Sequence, residues 1–526
     1  MIMPQSFLRR EVFPLSDKKL IKTAGFMAAA TLAAKFLGLI RDSLIAAFFA
    51  TGIEADAFMT ASKLPTMLFD IVIGGVISAT FIPIFNKVAQ KENKEQAQIF
   101  AHKFITMILM ATGLIAVLGI VLADPLTTLL APEYAGEKHL LTVRLTTIMF
   151  PMIIFTGLAF SFVGLLQSYG EYKIPSLISF VSNLAIILYF AVLGKRFGVY
   201  GLSVTMVVAW SLQVFVQIPS LVKFKFRFRL NFRLRDPHIK EALLLAAPML
   251  ISTWVQPLYS IINSRLASGI NGAVASLEYA NRLYIMVTGV FSFVVTNLVF
   301  PKLAKANAAE RTEEAKNLTV NSLKAIVLVI APLMAGFMIL ARPVTSVIYE
   351  HNQFTAEDVR IVSRILMCYS AGMLGLAVNE VLSKVFFSVQ DSKTPMRNSI
   401  LSMVLNIILA YVLFRWLKTP GLALAAAFGS MINAVFNWVC LAKRFPGIVS
   451  RRDAVSMLKM LLSAIAMAGG VYGISLWLTP MFDGSFIGNL ILCAVSAAAG
   501  ILIYGVCVYA LGVDIVRDFL GRKVKK

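Results

Sequence analysis

Long apolar runs separated by short polar stretches recur along the chain from residue 21 to residue 511. A helix across a hydrocarbon core takes about 20 residues, and about fourteen runs meet that length. They far exceed the roughly ten-residue alternating strands of a membrane barrel, which excludes that fold. The pattern predicts an all-α polytopic membrane protein with about 14 transmembrane helices. Two six-helix lobes are expected at 21–222 and 241–442, and two extra helices at 457–511. A segment at 1–20, a basic linker at 223–240 and a basic tail at 512–526 complete the division.

The lobes read as copies of one another. Ala61-Ser-Lys63-Leu recurs as Ala280-Asn-Arg282-Leu, and Ala123-Asp-Pro-Leu-Thr as Ala341-Arg-Pro-Val-Thr. Ser168 with Glu171, Lys173 and Pro175 recurs as Ser388 with Asp391, Lys393 and Pro395, and Gly201-Leu202 as Gly421-Leu422. These matches fall on polar and proline positions in the same order, which shared apolar composition does not explain. Six helices per copy start both copies on one side, giving a pseudo-two-fold along the membrane normal and a central cleft, as in an alternating-access carrier.

Composition agrees. The 526 residues are 58% hydrophobic and 14% charged, against about 45–50% and 25% in soluble domains, and disordered chains are poor in such residues. The net charge of +22 is spread between the apolar runs rather than gathered into a patch, which marks cytoplasmic loops. Lys87, Lys91 and Lys94, seven cations between 223 and 240, and the tail cations lie on one side; Lys138, Lys195, Arg196, Arg342 and Lys418 are the few on the other. Both termini are therefore expected in the cytoplasm. Arg9 and Arg10 lead into Glu11 and Asp17, so no cleavable signal is expected. The four cysteines lie inside apolar runs without metal spacing, and the four histidines are scattered near loops.

Ionisable groups inside a bilayer cost at least about 2.5–3.5 kcal/mol each on insertion scales and so mark function or a buried pair. The first span carries Lys35, Arg41 and Asp42; the second, Asp56, Lys63 and Asp70; the seventh, Arg265; the eighth, Glu278 and Arg282. Asp56, Lys63 and Asp70 are spaced to form an acid–base–acid stripe. Lys63 and Arg282 hold the same place in the two copies. Mutual neutralisation is the competing explanation, strongest for Asp42 with Arg41 and Glu278 with Arg282, while snorkelling accounts for Arg265 and Asp56 near helix ends. A cation-rich cleft suits an anionic substrate, with Arg the better fork for phosphate. The substrate-binding candidates are Lys35, Arg41, Asp42, Asp56, Lys63, Arg265 and Arg282.

Around Lys35-Phe-Leu-Gly-Leu-Ile-Arg41-Asp42, Asp56-Ala-Phe, Lys63-Leu-Pro65, Phe81-Ile-Pro83, Tyr279-Ala-Asn-Arg282-Leu and Gln390-Asp-Ser-Lys-Thr-Pro395, the chain resembles the MurJ (MviN) lipid II flippases of the multidrug/oligosaccharidyl-lipid/polysaccharide exporter superfamily. The resemblance implies a bacterial inner-membrane carrier that moves undecaprenyl-pyrophosphate-linked disaccharide pentapeptide outward for peptidoglycan synthesis. Cavity-lining family positions map to Lys35, Arg41, Asp56 and Arg282, and the last two helices would form a lipid-tail groove. The chain departs from the family where some members carry paired Arg and a Glu on the second span; here stand Phe69, Asp70 and Gly74. No cofactor is expected. Sodium coupling enters only by resemblance, and the position of the relatives' sodium-binding Asp is Asn263.

Residues 223–235 alternate strictly between apolar and polar, the period of an extended strand, with Phe224, Phe226, Phe228, Leu230, Phe232 and Leu234 expected on one face. It should lie at membrane headgroups, where anionic lipid attracts each cation by about 1 kcal/mol. Nucleic acid is not an expected partner. Gly74-Gly75 and Gly469-Gly470 read as close-packing positions. A flippase for another undecaprenyl-linked glycan stays open as an alternative. A polyprenyl-phosphate enzyme would need clustered acids such as Asp-Asp-x-x-Asp, and no such run exists. A non-transporting envelope scaffold would not need cations deep in a cleft.

Overall fold

The computed structural model describes residues 17–73, 77–309, 311–482 and 484–514. In chain order the helices are α1 (Asp17–Phe49), α2 (Ile53–Val72), α3 (Ile82–Lys91), α4 (Lys94–Val121), α5 (Ala123–Leu130), α6 (Gly136–Met149), α7 (Met152–Ser168), α8 (Lys173–Val192), α9 (Gly194–Phe215), α10 (Ile218–Lys223) and α11 (Pro237–Thr253). There follow α12 (Val255–Ala267), α13 (Ala273–Ala308), α14 (Thr312–Ile339), α15 (Ala341–Tyr349), α16 (Ala356–Ser370), α17 (Met373–Ser388), α18 (Lys393–Leu417), α19 (Thr419–Arg444), α20 (Arg451–Leu478) and α21 (Phe486–Ala510). No β-strand occurs among the described residues.

Nine helical stretches among the described residues are long and apolar enough to cross a membrane, ten if α16 and α17, bent by 42°, count as one. The spans that the sequence places first, second, seventh and eighth are not among these stretches. Asp56, Lys63 and Asp70 lie on α2, while Glu278 and Arg282 lie on α13. The seventh is divided into α11, of 17 residues, and α12, of 13. The apolar run that carries the second span is not one helix: α2 ends at Val72, and Ile77–Phe81 form a π-helical turn before α3. Gly74 and Gly75 lie outside the described residues. Residues 223–235 do not form a strand, because no neighbouring strand completes their backbone pairing.

Local backbone geometry recurs at the spacing of the sequence repeat. Gly198 (φ 51°, ψ −143°) is matched by Lys418 (φ 56°, ψ −135°). Gly170 and Gln390 both have positive φ, 78° and 59°. After each of the latter, an amide reaches back in the same way: Glu171 N–H donates to Leu166 O at 2.9 Å, and Asp391 N–H to Phe386 O at 3.0 Å.

The described residues fall into two compact units. One comprises those of Met1–Arg41, Val72–Val117 and Met149–Leu250. Its core is aromatic: the Phe81 ring centroid lies 5.6 Å from Phe85, 5.7 Å from Phe100 and 5.0 Å from Phe104. Burying each such ring contributes about 1.5–3 kcal/mol. Gly164 on α7 admits this cluster, since a Cβ there would stand 3.1 Å from Phe81. Asp236, in the linker, takes a 2.6 Å ion pair from Lys103. Burial would raise its carboxyl, but the Lys103 ammonium and the His238 amide hold it below the ordinary carboxylate range.

The other unit comprises the described residues of Asp42–Ile71, Leu118–Ile148 and Ile251–Lys526. Here α20 and α21 pack on α14 and α15 through Met460, Ala464, Met467, Val471, Tyr504 and Val508 against Val327, Ala331 and Leu340. Capping boxes start α16, with Thr355 and Asp358, and α20, with Ser450 and Asp453, satisfying amides that the first turn leaves open. Gly470 packs closely, with a Cβ there only 2.6 Å from Ile503, whereas Gly469 faces open space.

Helices α17 and α19 touch backbone to side-chain position at Gly375, where a Cβ would stand 2.7 Å from the Met431 nitrogen. Backbone cannot yield as a side chain does. Gly375→Leu should therefore lower stability by about 1–3 kcal/mol through overpacking, read as a lower thermal midpoint in detergent, while Gly469→Ala should leave the midpoint unchanged or slightly raised.

Candidate functional site

Four ionisable side chains join in a row within the second unit. Asp42, in the last third of α1, ion-pairs with Arg282 on α13. One turn earlier on α13, Glu278 stands 3.9 Å from the Arg282 Nε. The same carboxylate takes Lys63 of α2 at 2.7 Å. Lys63 donates further to Ser264 Oγ on α12 at 3.0 Å, and Arg282 Nη2 points at Met59 Sδ at 3.7 Å. With both acids ionised the row sums to zero, which makes burying it tolerable in a low-dielectric setting. The two equivalent cations of the repeat, Lys63 and Arg282, thus share one carboxylate. Asp42 reaches Arg282 on a distant helix, and Glu278 meets both its expected partner Arg282 and, more closely, Lys63. Arg282 keeps 28% of its side chain exposed against 8% for Asp42.

Helix α1 is held at this row by its C-terminal end. Ser43 Oγ donates to Ile348 O at 2.5 Å, Tyr279 Oη to Ala50 O at 3.0 Å, and Gln353 N–H to Ala47 O at 3.1 Å.

Asp56 behaves differently. It is fully buried, which corrects the expectation that it snorkels. Its carboxylate accepts from the Gly272 amide at 2.7 Å and the Ala275 amide at 2.8 Å, and pairs with Lys138 at 2.6 Å. Gly272 precedes α13 with φ 74°, and a Cβ there would stand 2.4 Å from Thr51 O. Asp56 therefore caps α13 from another helix, satisfying N-terminal amides and the positive end of the helix dipole. Lys138 lies over the Tyr134 ring at 4.0 Å, and Tyr134 Oη meets Thr60 Oγ1 at 3.1 Å. Lys138 is the participant that sequence reasoning missed; its signal was a lone cation in a loop region otherwise poor in them.

The remaining candidates lie elsewhere. Arg41, in the first unit, donates to Asn183 Oδ1 at 3.0 Å, and Asn183 Nδ2 to Ala34 O at 2.9 Å. Lys35 is half-buried on α1 and has no ion pair among the described residues. Arg265 is exposed and donates to Leu129 O at 3.1 Å, closing a carbonyl at the end of α5. Asp70 is exposed near the end of α2. Asn263 Oδ1 is buried with no hydrogen-bond partner among the described residues; a neutral amide supplies no charge there, and the position does not fit a sodium ion held by a carboxylate. No cluster of three His, Cys, Asp or Glu suited to a metal occurs among the described residues.

The sequence model of the family described as "Lipid II flippase MurJ" matches residues 45–492. A Rhizobium tropici protein described as "Probable lipid II flippase MurJ" is 29% identical over 96% of this chain and 97% of its own length. Among solved structures, a lipid II flippase MurJ in an inward closed conformation aligns with a TM-score of 0.80 at 23% identity, over 93% of this chain and 99% of that one. An inward-facing multidrug resistance MATE family transporter of the MOP superfamily aligns with a TM-score of 0.67 at 16% identity, over 80% and 98%.

Neutralising Asp56 while leaving Lys138 buried should be costly. Asp56→Asn is expected to lose about 3–5 kcal/mol, the usual effect of stranding one member of a buried pair. Adding Lys138→Met should recover most of it in thermal unfolding. Recovery would not occur if Asp56 acted only as a helix cap.

Proposed function

The chain belongs to the MurJ family of lipid II flippases and is a multi-pass membrane transporter of lipid II, not an enzyme, and from that premise we propose that Arg282 is the group its substrate contends for. Lipid II is anionic at its diphosphate. In the row Asp42–Arg282–Glu278–Lys63, a diphosphate approaching the exposed part of Arg282 competes with two carboxylates already in place. Guanidinium holds carboxylate and phosphate by the same bidentate fork, so one partner can replace the other without loss of geometry. The observation that carries this reading is the sharing of Arg282 between Asp42 of α1 and Glu278 of α13.

Exchange at Arg282 links binding to movement. Asp42 and Arg282 form an ion pair between α1 and α13, and a diphosphate that takes the guanidinium weakens that contact while the Tyr279–Ala50 hydrogen bond remains. In the alternating-access cycle we assign, the two sequence repeats rock against one another, and the substrate weakens the closure on one side as it binds. A ligand shifts such an equilibrium only by its differential affinity for the two states, and loss of the Asp42 contact supplies one. Asp56, with its carboxylate engaged by Lys138 and the start of α13, acts in this reading as a fixed brace. Lys35 and Arg41 are assigned as additional cations for the substrate, and both termini to the cytoplasmic side of the inner membrane, following the distribution of Lys and Arg.

Rescue of cells depleted of their own lipid II flippase tests the assignment. Arg282→Ala and Arg41→Ala should each fail to rescue while reaching the membrane at wild-type level. Arg282→Lys, which keeps the charge but loses the fork, should rescue weakly. Full rescue by both alanine variants would remove these cations from the site.

A further inference from the structure

The linker between α10 and α11 is a strap with two distinct faces. Its inner face is aromatic and bound to the first unit. Phe224 stacks on Tyr169 at 5.1 Å, the buried Phe226 stacks on His102 at 4.7 Å, and Phe228 meets Phe162 edge-on at 6.5 Å. Lys225, at φ 60°, makes the turn between the first two rings. The Arg229 amide donates to His102 Nδ1 at 3.2 Å and the Asn231 amide to Thr106 Oγ1 at 3.0 Å.

At Asn231 the alternation changes phase. Its side-chain oxygen accepts from the Arg233 amide at 3.1 Å, and this local turn brings Asn231, not its neighbours, inward. Leu230 and Phe232, expected on the inner face, are instead 56% and 66% exposed. Around them Lys223, Lys225, Arg227, Arg229, Arg233 and Arg235 are all exposed, and none has a carboxylate partner among the described residues. The strap meets α4 at His102, Lys103 and Thr106, where the long apolar stretch of that helix begins at Phe104. It therefore lies at the depth where hydrocarbon gives way to headgroups.

We infer that this strap is a binding surface for acidic phospholipid headgroups, with Phe232 and Leu230 inserted into the glycerol–acyl boundary between the flanking arginines. The chemistry is that of an interfacial amphipathic segment, apolar wedge plus cations, laid on a folded scaffold instead of a helix. Cations alone would also suit RNA, but an exposed aromatic and leucine pair at the edge of an apolar helix belongs in lipid. The inference rests on the membrane placement of the chain and needs no transport of lipid II, so it stands or falls apart from the role of Arg282.

The full-length Phe232→Trp protein, in phosphatidylcholine vesicles, reports the insertion as the fluorescence difference from wild type with its five Trp. Brominated phosphatidylglycerol should quench the new Trp at about one-fifth the mole fraction that brominated phosphatidylcholine requires, the preference about one effective surface cation gives. Changing Arg227, Arg229, Arg233 and Arg235 to Gln should remove that preference while phosphatidylcholine quenching persists, which shows that the strap is still docked. Equal quenching by the two lipids, or none by either, would overturn the inference. So would single-stranded RNA that shifts the Trp emission and displaces the quenching by phosphatidylglycerol.

Discussion

Charge balance in a medium that does not tolerate charge governs this molecule. Asp42, Arg282, Glu278 and Lys63 would each be costly alone within apolar helices; joined in alternating sign, they cancel. The row ties α1, α2, α12 and α13 together, and the bonds from Ser43, Tyr279 and Gln353 keep the end of α1 in register with it. A site for an anion made this way cannot stand empty and uncompensated. In the proposed reading substrate binding is an exchange of one anion for another, which lowers net affinity but lets binding alter the contact between helices.

The two acids of α1 and α2 illustrate the difference between a replaceable partner and a fixed one. Asp56 accepts two backbone amides and an ammonium with no exposed surface, so its oxygens are occupied by groups that cannot leave without unravelling the start of α13. Asp42 faces Arg282, whose side chain remains more than a quarter exposed. The same residue type on adjacent helices thus holds different sets of donors, which in the proposed reading makes Asp56 a brace and Asp42 an exchangeable counter-ion.

Much of this was legible in the sequence, because the cost of charge in lipid makes Lys35, Arg41, Asp42, Asp56, Lys63, Arg265, Glu278 and Arg282 stand out within apolar runs. The helical class follows from run length, and the repeat from polar and proline positions. Local pairing, as of Glu278 with Arg282, was legible from i,i+4 spacing; long-range pairing was not. Asp42 and Arg282 are 240 residues apart and Asp56 and Lys138 are 82 apart, and no local period records such meetings. Lys138 escaped because a rule about charges inside apolar runs is blind to a cation between runs, which here lies buried in the first turn of α6. Period also misled at Leu230 and Phe232, where a single side-chain to backbone bond at Asn231 reverses the face. The break after Val72 is hidden by continuous hydrophobicity, since hydropathy measures depth in a membrane and not the path of the backbone.

The central claim is that Asp42 and the substrate diphosphate compete for Arg282. The most direct measurement is the equilibrium affinity of purified protein for lipid II, wild type against Asp42→Asn. Removing the competing carboxylate while keeping its size should tighten binding by about tenfold, the equivalent of about 1.4 kcal/mol, with inorganic pyrophosphate as a more effective competitor than on wild type. Unchanged or weaker binding by Asp42→Asn would contradict the exchange.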